Sequence, residues 1–366
     1  MGEPVAGGTL AGLRNEVRRN AVRARNGVKW AAGGEFAPPH PTPSDVIWDN
    51  GKAHVRRYRR ATPARYRVPV IAYLGLVGRS YIFDLYKGGS LVEMLMDHGF
   101  DVYVLDWGTP DELDAGNTLE TYLGGFLPQA LDAVCAESGS PDVNVFAYCM
   151  GAVLSVHALA AQPDLPVHGL VALAAPFDWS DLGTFVDAVR DGRISLDDLV
   201  DDTGNIPAAT IVESFKIRRP TSDLVNYANL WQHLWDDKYV EAYQAIGRFL
   251  RDHVPLARGA AEQMLQQWMR DNAFVTDRLR FHGRRVSLAD VRIPVLGVIA
   301  TRDDIAPVAS ARALTTVLPN ADVELLEIDT GHVSLFAGRQ SVKVVMPQVF
   351  AWLASHAEEI DEPAGA

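Results

Sequence analysis

Five short apolar runs limit what this chain can fold into: VPVIAYL at 68–74, DVYVL at 101–105, VNVFAY at 143–148, GLVALA at 169–174 and IPVLGVI at 293–299. Each is too short for a buried helix and too uniformly apolar for a strand wet on one face, so each predicts a strand covered on both sides. Amphipathic stretches between them predict helices over 91–97, 119–136 and 152–161. Strand, covering helix and next strand in succession make a mostly parallel central sheet with helices on both faces. Residues 46–60 predict a hairpin ahead of it. After Pro307 the alternation resumes with a helix, a strand over 323–328 and a helix over 341–356.

The alternation stops between Trp179 and Asp290, where NLWQHLWDDKYVEAYQAIGRFL and AAEQMLQQWMRDNAF predict a mainly helical insertion. Such a segment either roofs a site at the strand ends or serves only as a packing subdomain. The chain divides into a basic amphipathic helix with a Pro-rich link (1–43), a first core half (44–179), the helical cap insertion (180–290), a second core half (291–357) and an acidic tail (358–366). In the first helix Leu10, Leu13 and Val17 form one stripe beside Arg14, Arg18, Arg19, Arg23, Arg25 and Lys29. That face docks on a partner or an apolar granule, or the helix is a solvated one packed on its own domain.

The 46 acidic residues outnumber the 34 basic ones, a net charge of −12 that argues against nucleic acid and anionic lipid as partners. Two cysteines, Cys135 and Cys149, are too few for a disulfide framework or a four-cysteine metal site. A cytoplasmic protein is expected, with no membrane span and no secretory signal. GLVGRS at 75–80 lacks the dinucleotide-binding spacing, no phosphate-binding loop occurs, and His54, His98, His157, His168 and His282 lack metal-ligand spacing. Neither a cofactor nor a metal is expected.

The chemistry centres on Cys149. Strand 143–148 delivers it into a sharp turn, and Gly151 and Ala152 follow as a helix begins, the form of a nucleophile elbow with Cys in place of Ser. The free amides of that helix favour a thiolate. Asp303 and Asp304 follow the strand of 294–300, and His332 follows that of 323–328. Nucleophile, aspartate and histidine in this order match an α/β-hydrolase sheet. His332 then takes the thiol proton and Asp303 orients the ring. The Met150 amide is one oxyanion donor, and the second comes from the loop near Val77 or Gly78. Plainer roles stand beside these: a core cysteine, a turn histidine, a capping aspartate pair and an ordinary tight turn. Asp84, Asp106 and Asp178 line the pocket or serve turns and caps. His157 is expected in the core, and Trp231, Trp235 and Trp268 contact an acyl chain or pack between helices.

Five segments resemble the polyhydroxyalkanoate synthases: PVIAYLGLVGRSYIFDL, GGSLVEMLMDHGFDVYVLDWG, AYCMGA, VLGVIATRDDIAP and GHVSLF. The resemblance runs from about Thr42 to Leu353. The modest length and LVNYANLWQHLWDDKYVEAY are similar to the short class III type, which acts with a second subunit. It implies an α/β-hydrolase fold and an acyltransferase that polymerises (R)-3-hydroxyacyl-CoA, foremost 3-hydroxybutyryl-CoA, with CoA leaving and polyester accumulating as granules. CoA then enters only as part of the substrate. A homo-oligomer or hetero-oligomer is implied, in the cytoplasm or on the granule surface. By the same resemblance Cys149 carries the acyl or growing polyester chain, Asp303 matches the family's aspartate by its interval to Pro307, and His332 is the general base.

Three positions depart from the family: Ala147 for the first glycine of the G-x-C-x-G box, Gly78 for an asparagine, and Asp304 for a histidine. Ala147 adds a methyl at the elbow, and Gly78 removes a donor and acceptor from the oxyanion loop. They leave open a divergent thioesterase, esterase or depolymerase on the same nucleophile, and a noncatalytic granule-associated binding protein.

Overall fold

Every short apolar run becomes a strand of one eight-stranded sheet. The computed structural model describes residues 7–35, 42–217, 229–338 and 340–360. Strands β1 (Ser44–Asp49) and β2 (His54–Tyr58) form the expected hairpin, and β3 (Val70–Tyr73), β4 (Val102–Asp106), β5 (Val143–Tyr148) and β6 (Val167–Leu173) follow. Later come a small separate hairpin, β7 (Arg280–Phe281) and β8 (Arg284–Arg285), and then β9 (Pro294–Ala300) and β10 (Asp322–Ile328). The sheet order is β1-β2-β4-β3-β5-β6-β9-β10. Pairing is antiparallel through β2 and parallel from β4 to β10. Every residue of β5 is buried, as a strand flanked by β3 and β6 and covered on both faces must be. The edge strands β1 and β10 are less covered, with Glu324 and Glu327 of β10 exposed.

Local chemistry sets the helix ends. Helix α1 spans Gly7–Ala31. Ser90 caps α2 (Leu91–Asp97) by accepting from the Glu93 amide at 3.0 Å. Gly139, at φ 73°, ends α3 (Leu127–Ser138) in the left-handed region. Helix α4 (Met150–Ala161) buries ten of its twelve residues, so it runs through the interior with no wet face.

Between β6 and β9 the chain forms α5 (Thr184–Arg190), α6 (Ala208–Ile217), α7 (Asp237–Phe249) and α8 (Arg258–Gln263). The hairpin β7/β8 also lies here. It is two residues a side and leaves no periodic pattern, but its turn, His282 at φ 48° and Gly283 at φ 72°, is the two-residue geometry that suits twisted strands. Helix α1 packs on this insertion: buried Asn26 donates to the Leu234 carbonyl at 2.8 Å and to Asp237 at 2.7 Å. Arg19 stacks 4.2 Å from the Trp235 ring centroid. The Pro-rich link over 36–41, residues 218–228 and the last six residues of the acidic tail lie outside the described residues. Among the described residues no helix is long and apolar enough to cross a membrane.

The three tryptophans singled out as an acyl-chain contact do not form one cluster. Trp268 is fully buried beside Trp179, His157 and Phe274, Trp235 lies under Arg19, and Trp231 is 66% exposed. Helical spacing alone does not report which side of a helix is covered. Trp268→Ala is therefore expected to lower the unfolding free energy by about 3–5 kcal/mol, and Trp231→Ala by no more than about 0.5 kcal/mol, in urea titrations of the two variants.

Candidate active site

The site begins with a backbone conformation that an L residue seldom takes. Cys149 has φ 54° and ψ −123°, so the chain reverses between β5 and α4 and lifts the thiol clear of both. The surroundings hold the turn in place. The Cys149 amide donates to the Leu173 carbonyl of β6 at 2.7 Å, and its carbonyl accepts from the Ala152 amide at 3.0 Å. A Cβ on Gly151 would lie 2.9 Å from the Leu74 backbone and the Tyr73 carbonyl oxygen, and one on Gly75 would lie 2.6 Å from Met150 Cβ. Glycine is thus required on both sides of the contact between the elbow and the loop after β3. Ala147 keeps strand pairing with Tyr73 and Ala172, and its methyl is buried in the core under the elbow.

Two further loops converge on the thiol. Asp303 follows β9, and His332 opens the short helix α9 (His332–Phe336) after β10. His332 Nδ1 donates to Asp303 Oδ2 at 2.7 Å, while Asp303 Oδ1 accepts from the Ile305 and Ala306 amides at 2.8 and 2.9 Å. The carboxylate is therefore locked against rotation, with one oxygen left for the ring. The opposite side of the imidazole shares a hydrogen bond with Cys149. Both Asp303 and His332 are buried, whereas Cys149 is only partly so. Tyr148 walls the ring on one face, with centroids 5.3 Å apart, and Phe336 backs Tyr148 at 4.9 Å.

Burial by itself would lower the His332 pKa. The adjacent Cys149 thiolate and the hydrogen bonds to Asp303 and Cys149 outweigh it and raise the ring to about 9. Below that value the ring carries a proton beside the Cys149 sulfur, the arrangement that favours a charged nucleophile. Asp304, by contrast, is exposed, so of the two adjacent aspartates only Asp303 meets the ring.

The Met150 amide sits in the first turn of α4 and has no carbonyl four residues behind it within the helix, as an oxyanion donor requires. In the facing loop the Gly78 amide is engaged with the Gly75 carbonyl at 3.3 Å, which singles out the Val77 amide as the candidate. The other carboxylates are engaged elsewhere, in contacts between distant segments and in local turns. Asp84 accepts from Thr42 twice, at 2.6 and 3.0 Å, Asp106 from Ser80 and Gly108, and Asp178 from Ser180 and Asn272. His157 is fully buried against the Arg280 carbonyl, and burial pushes its pKa down to about 4. Among the described residues no group of His, Cys, Asp and Glu side chains is placed to hold a metal. Two open cavities, one of about 410 Å³ beside Asp277 and Arg285 and one of about 460 Å³ between Arg60 and Phe350, are lined by residues remote from this chemistry.

A thiol at a strained strand-to-helix turn, a buried histidine and a fixed aspartate, in that chain order on such a sheet, define a class. Residues 68–338 match the family model of the alpha/beta hydrolase fold, and the chain belongs to that family. Within it the chain is similar to poly(3-hydroxyalkanoate) polymerase subunits. The poly(3-hydroxyalkanoate) polymerase subunit PhaC of Haloferax mediterranei is 29% identical over 87% of this chain and 65% of its own length. The PhaC subunit of Allochromatium vinosum is 28% identical over 85% of this chain and 88% of its own. The chain thus spans just under two thirds of the first of these relatives. A solved esterase from Thermogutta terrifontis shares the fold, with a TM-score of 0.54 at 16% identity, covering 86% of this chain and all of the esterase.

The electrostatics can be read directly. In an NMR titration the His332 ring is expected to titrate near pH 9 in the wild type. Cys149→Ser keeps the hydrogen bond but removes the thiolate charge, so the midpoint falls toward the acid side; an unchanged midpoint would show that the thiolate is not what holds the proton. Gly151→Ala should slow alkylation of Cys149 by iodoacetamide and cost about 1–3 kcal/mol in urea unfolding, because its methyl meets backbone and not a yielding side chain.

Proposed function

We propose that the chain is an acyltransferase that polymerises (R)-3-hydroxyacyl-CoA, foremost 3-hydroxybutyryl-CoA, into polyester with release of CoA. The observation that carries the reading is the Cys149–His332–Asp303 relay, in a chain whose relatives are named poly(3-hydroxyalkanoate) polymerase subunits.

In the first half-reaction the Cys149 thiolate attacks the thioester carbonyl. The Met150 and Val77 amides receive the oxyanion, the bond to the CoA sulfur breaks, and the His332 imidazolium protonates the departing thiolate. Cys149 then carries the acyl group as a thioester. In the second, the neutral ring takes the proton of a 3-hydroxyl, that oxygen attacks the Cys149 thioester, and an ester bond forms as the thiol is regenerated. Asp303 supports the ring each time it becomes charged. The cycle needs no metal and no cofactor beyond the CoA that arrives with the substrate. It also needs water kept from the acyl-enzyme, since water in place of the hydroxyl turns the same cycle into hydrolysis. The growing product is insoluble, which puts the enzyme at a granule surface, and the family type implies work beside a second subunit.

The test is a product assay on the purified protein, alone and with a copurifying subunit, supplied with (R)-3-hydroxybutyryl-CoA. CoA release with insoluble polyester is expected. CoA release matched one for one by free hydroxyacid would replace the synthase with a thioesterase, and absence of any hydroxyacyl mass on Cys149 would favour a binding protein. Cys149→Ala should abolish turnover, and Asp303→Asn should lower it on the order of 10²–10⁴-fold with the fold intact.

A further inference from the structure

The insertion reaches back onto the loop that carries Val77. The Val254 amide, beyond the end of α7, donates to the Val77 carbonyl at 2.9 Å. Two residues earlier, Asp252 Oδ1 lies 3.3 Å from Arg79 Nε, and Arg79 Nη1 also donates to Thr109 Oγ1 at 2.9 Å. The Tyr81 side chain lies beside Asp252 and meets the Phe249 ring edge-on, with centroids 6.0 Å apart. The peptide group between Val77 and Gly78 is thus gripped at both ends: its carbonyl by Val254 and its N–H by the Gly75 carbonyl. Fixing that plane limits how the preceding amide, the candidate oxyanion donor, can turn. Gly78 has no side chain with which to brace the loop from within, and a Cβ there would lie 2.2 Å from Leu74 Cδ1. The Gly75–Gly78 bond braces it from within, and the insertion adds the contacts of Val254 and Asp252 from outside.

From this juxtaposition we infer that Asp252 is a positioning residue: through Arg79, alongside the Val254–Val77 bond, it holds the oxyanion loop in register with the Met150 amide and so governs acyl transfer to Cys149 without touching substrate. The inference rests on the acyl-transfer reading of the site. The side chains of the pair are 35% and 45% exposed, so as an ordinary surface ion pair it would add little to stability. A donor a few tenths of an ångström out of place, however, stabilises the oxyanion poorly. Removing a donor outright costs on the order of 10²–10³-fold in rate, and loosening one is expected to cost about 10-fold to 100-fold.

The experiment compares two reactions of the same sulfur in the full chain. Acylation by p-nitrophenyl acetate passes through an oxyanion; alkylation by iodoacetamide does not. Asp252→Asn and Arg79→Gln should each slow acylation about 10-fold to 100-fold, with KM, melting temperature and alkylation rate close to wild type. The reversed pair, D252R with R79D, should recover part of the loss. Unchanged acylation in both single variants overturns the inference. So does a parallel fall in acylation and alkylation, which would place the effect on the thiolate or the fold. A wild type acylated by the nitrophenyl ester but not by (R)-3-hydroxybutyryl-CoA would sink the proposed substrate and leave this positioning role measured. A wild type acylated by neither overturns both.

Discussion

The positive φ of Cys149 is the constraint on which the rest of the site depends. A non-glycine residue held there costs on the order of 1–3 kcal/mol, which the surroundings must offset. They do so through the middle of the sheet. β5 lies between β3 and β6, the Leu173 carbonyl at the end of β6 accepts the Cys149 amide, and the backbone after β3 presses on Gly151. A turn on an edge strand would have one of these supports and not both. The same close approach that stabilises the turn brings the Val77 loop to the start of α4, so strain and oxyanion geometry arise from one contact.

The second dependence is electrostatic. A buried imidazole is ordinarily driven toward its neutral form, and His157, enclosed by aromatic rings two turns along α4, shows that outcome with a pKa near 4. His332 is as deeply buried and goes the other way, to about 9. The difference lies in its partners: His157 has a neutral carbonyl, whereas His332 stands between the Cys149 sulfur and a carboxylate that is itself held by two backbone amides. The carboxylate's fixed orientation settles which nitrogen donates, and that leaves the other for the thiol. A ring held this way keeps a proton beside the sulfur, which is what the proposed acyl transfer from a thioester would use.

Much of this was legible in the order of residues. The strands fall within a residue or two of the apolar runs because burial on both faces leaves a signal that needs no partner to interpret. The elbow was legible for a related reason: strand, cysteine, glycine and helix are neighbours in sequence. What escaped is what depends on distant segments meeting. Asp303 could be told from its neighbour only by its interval to Pro307; the fold turns Asp303 inward and Asp304 to solvent. The tryptophans looked like a cluster because all three lie in the helical insertion, with 231 and 235 one turn apart, yet they belong to three different environments. The grip of Asp252 and Val254 on the oxyanion loop joins segments about 175 positions apart and leaves no local pattern.

The three departures from the synthase pattern acquire different weights in three dimensions. The extra methyl of Ala147 fills core space beneath the elbow, where a strand residue can hold it without strain. Asp304, in place of a histidine, lies on the solvent side of its loop, so the substitution leaves the Asp303–His332 contact whole. Gly78 is the one that touches the reacting geometry. It removes a polar side chain from the candidate oxyanion loop, which the Gly75–Gly78 bond and the insertion's Val254 hold instead. Cys149, His332 and Asp303 are therefore held by the sheet, whereas the candidate oxyanion loop is also held by a segment outside it. On the acyl-transfer reading, the insertion's seat on the loop would enter the acylation barrier, and sequence change in the insertion would tune the rate while the His332–Asp303 pair stays as it is.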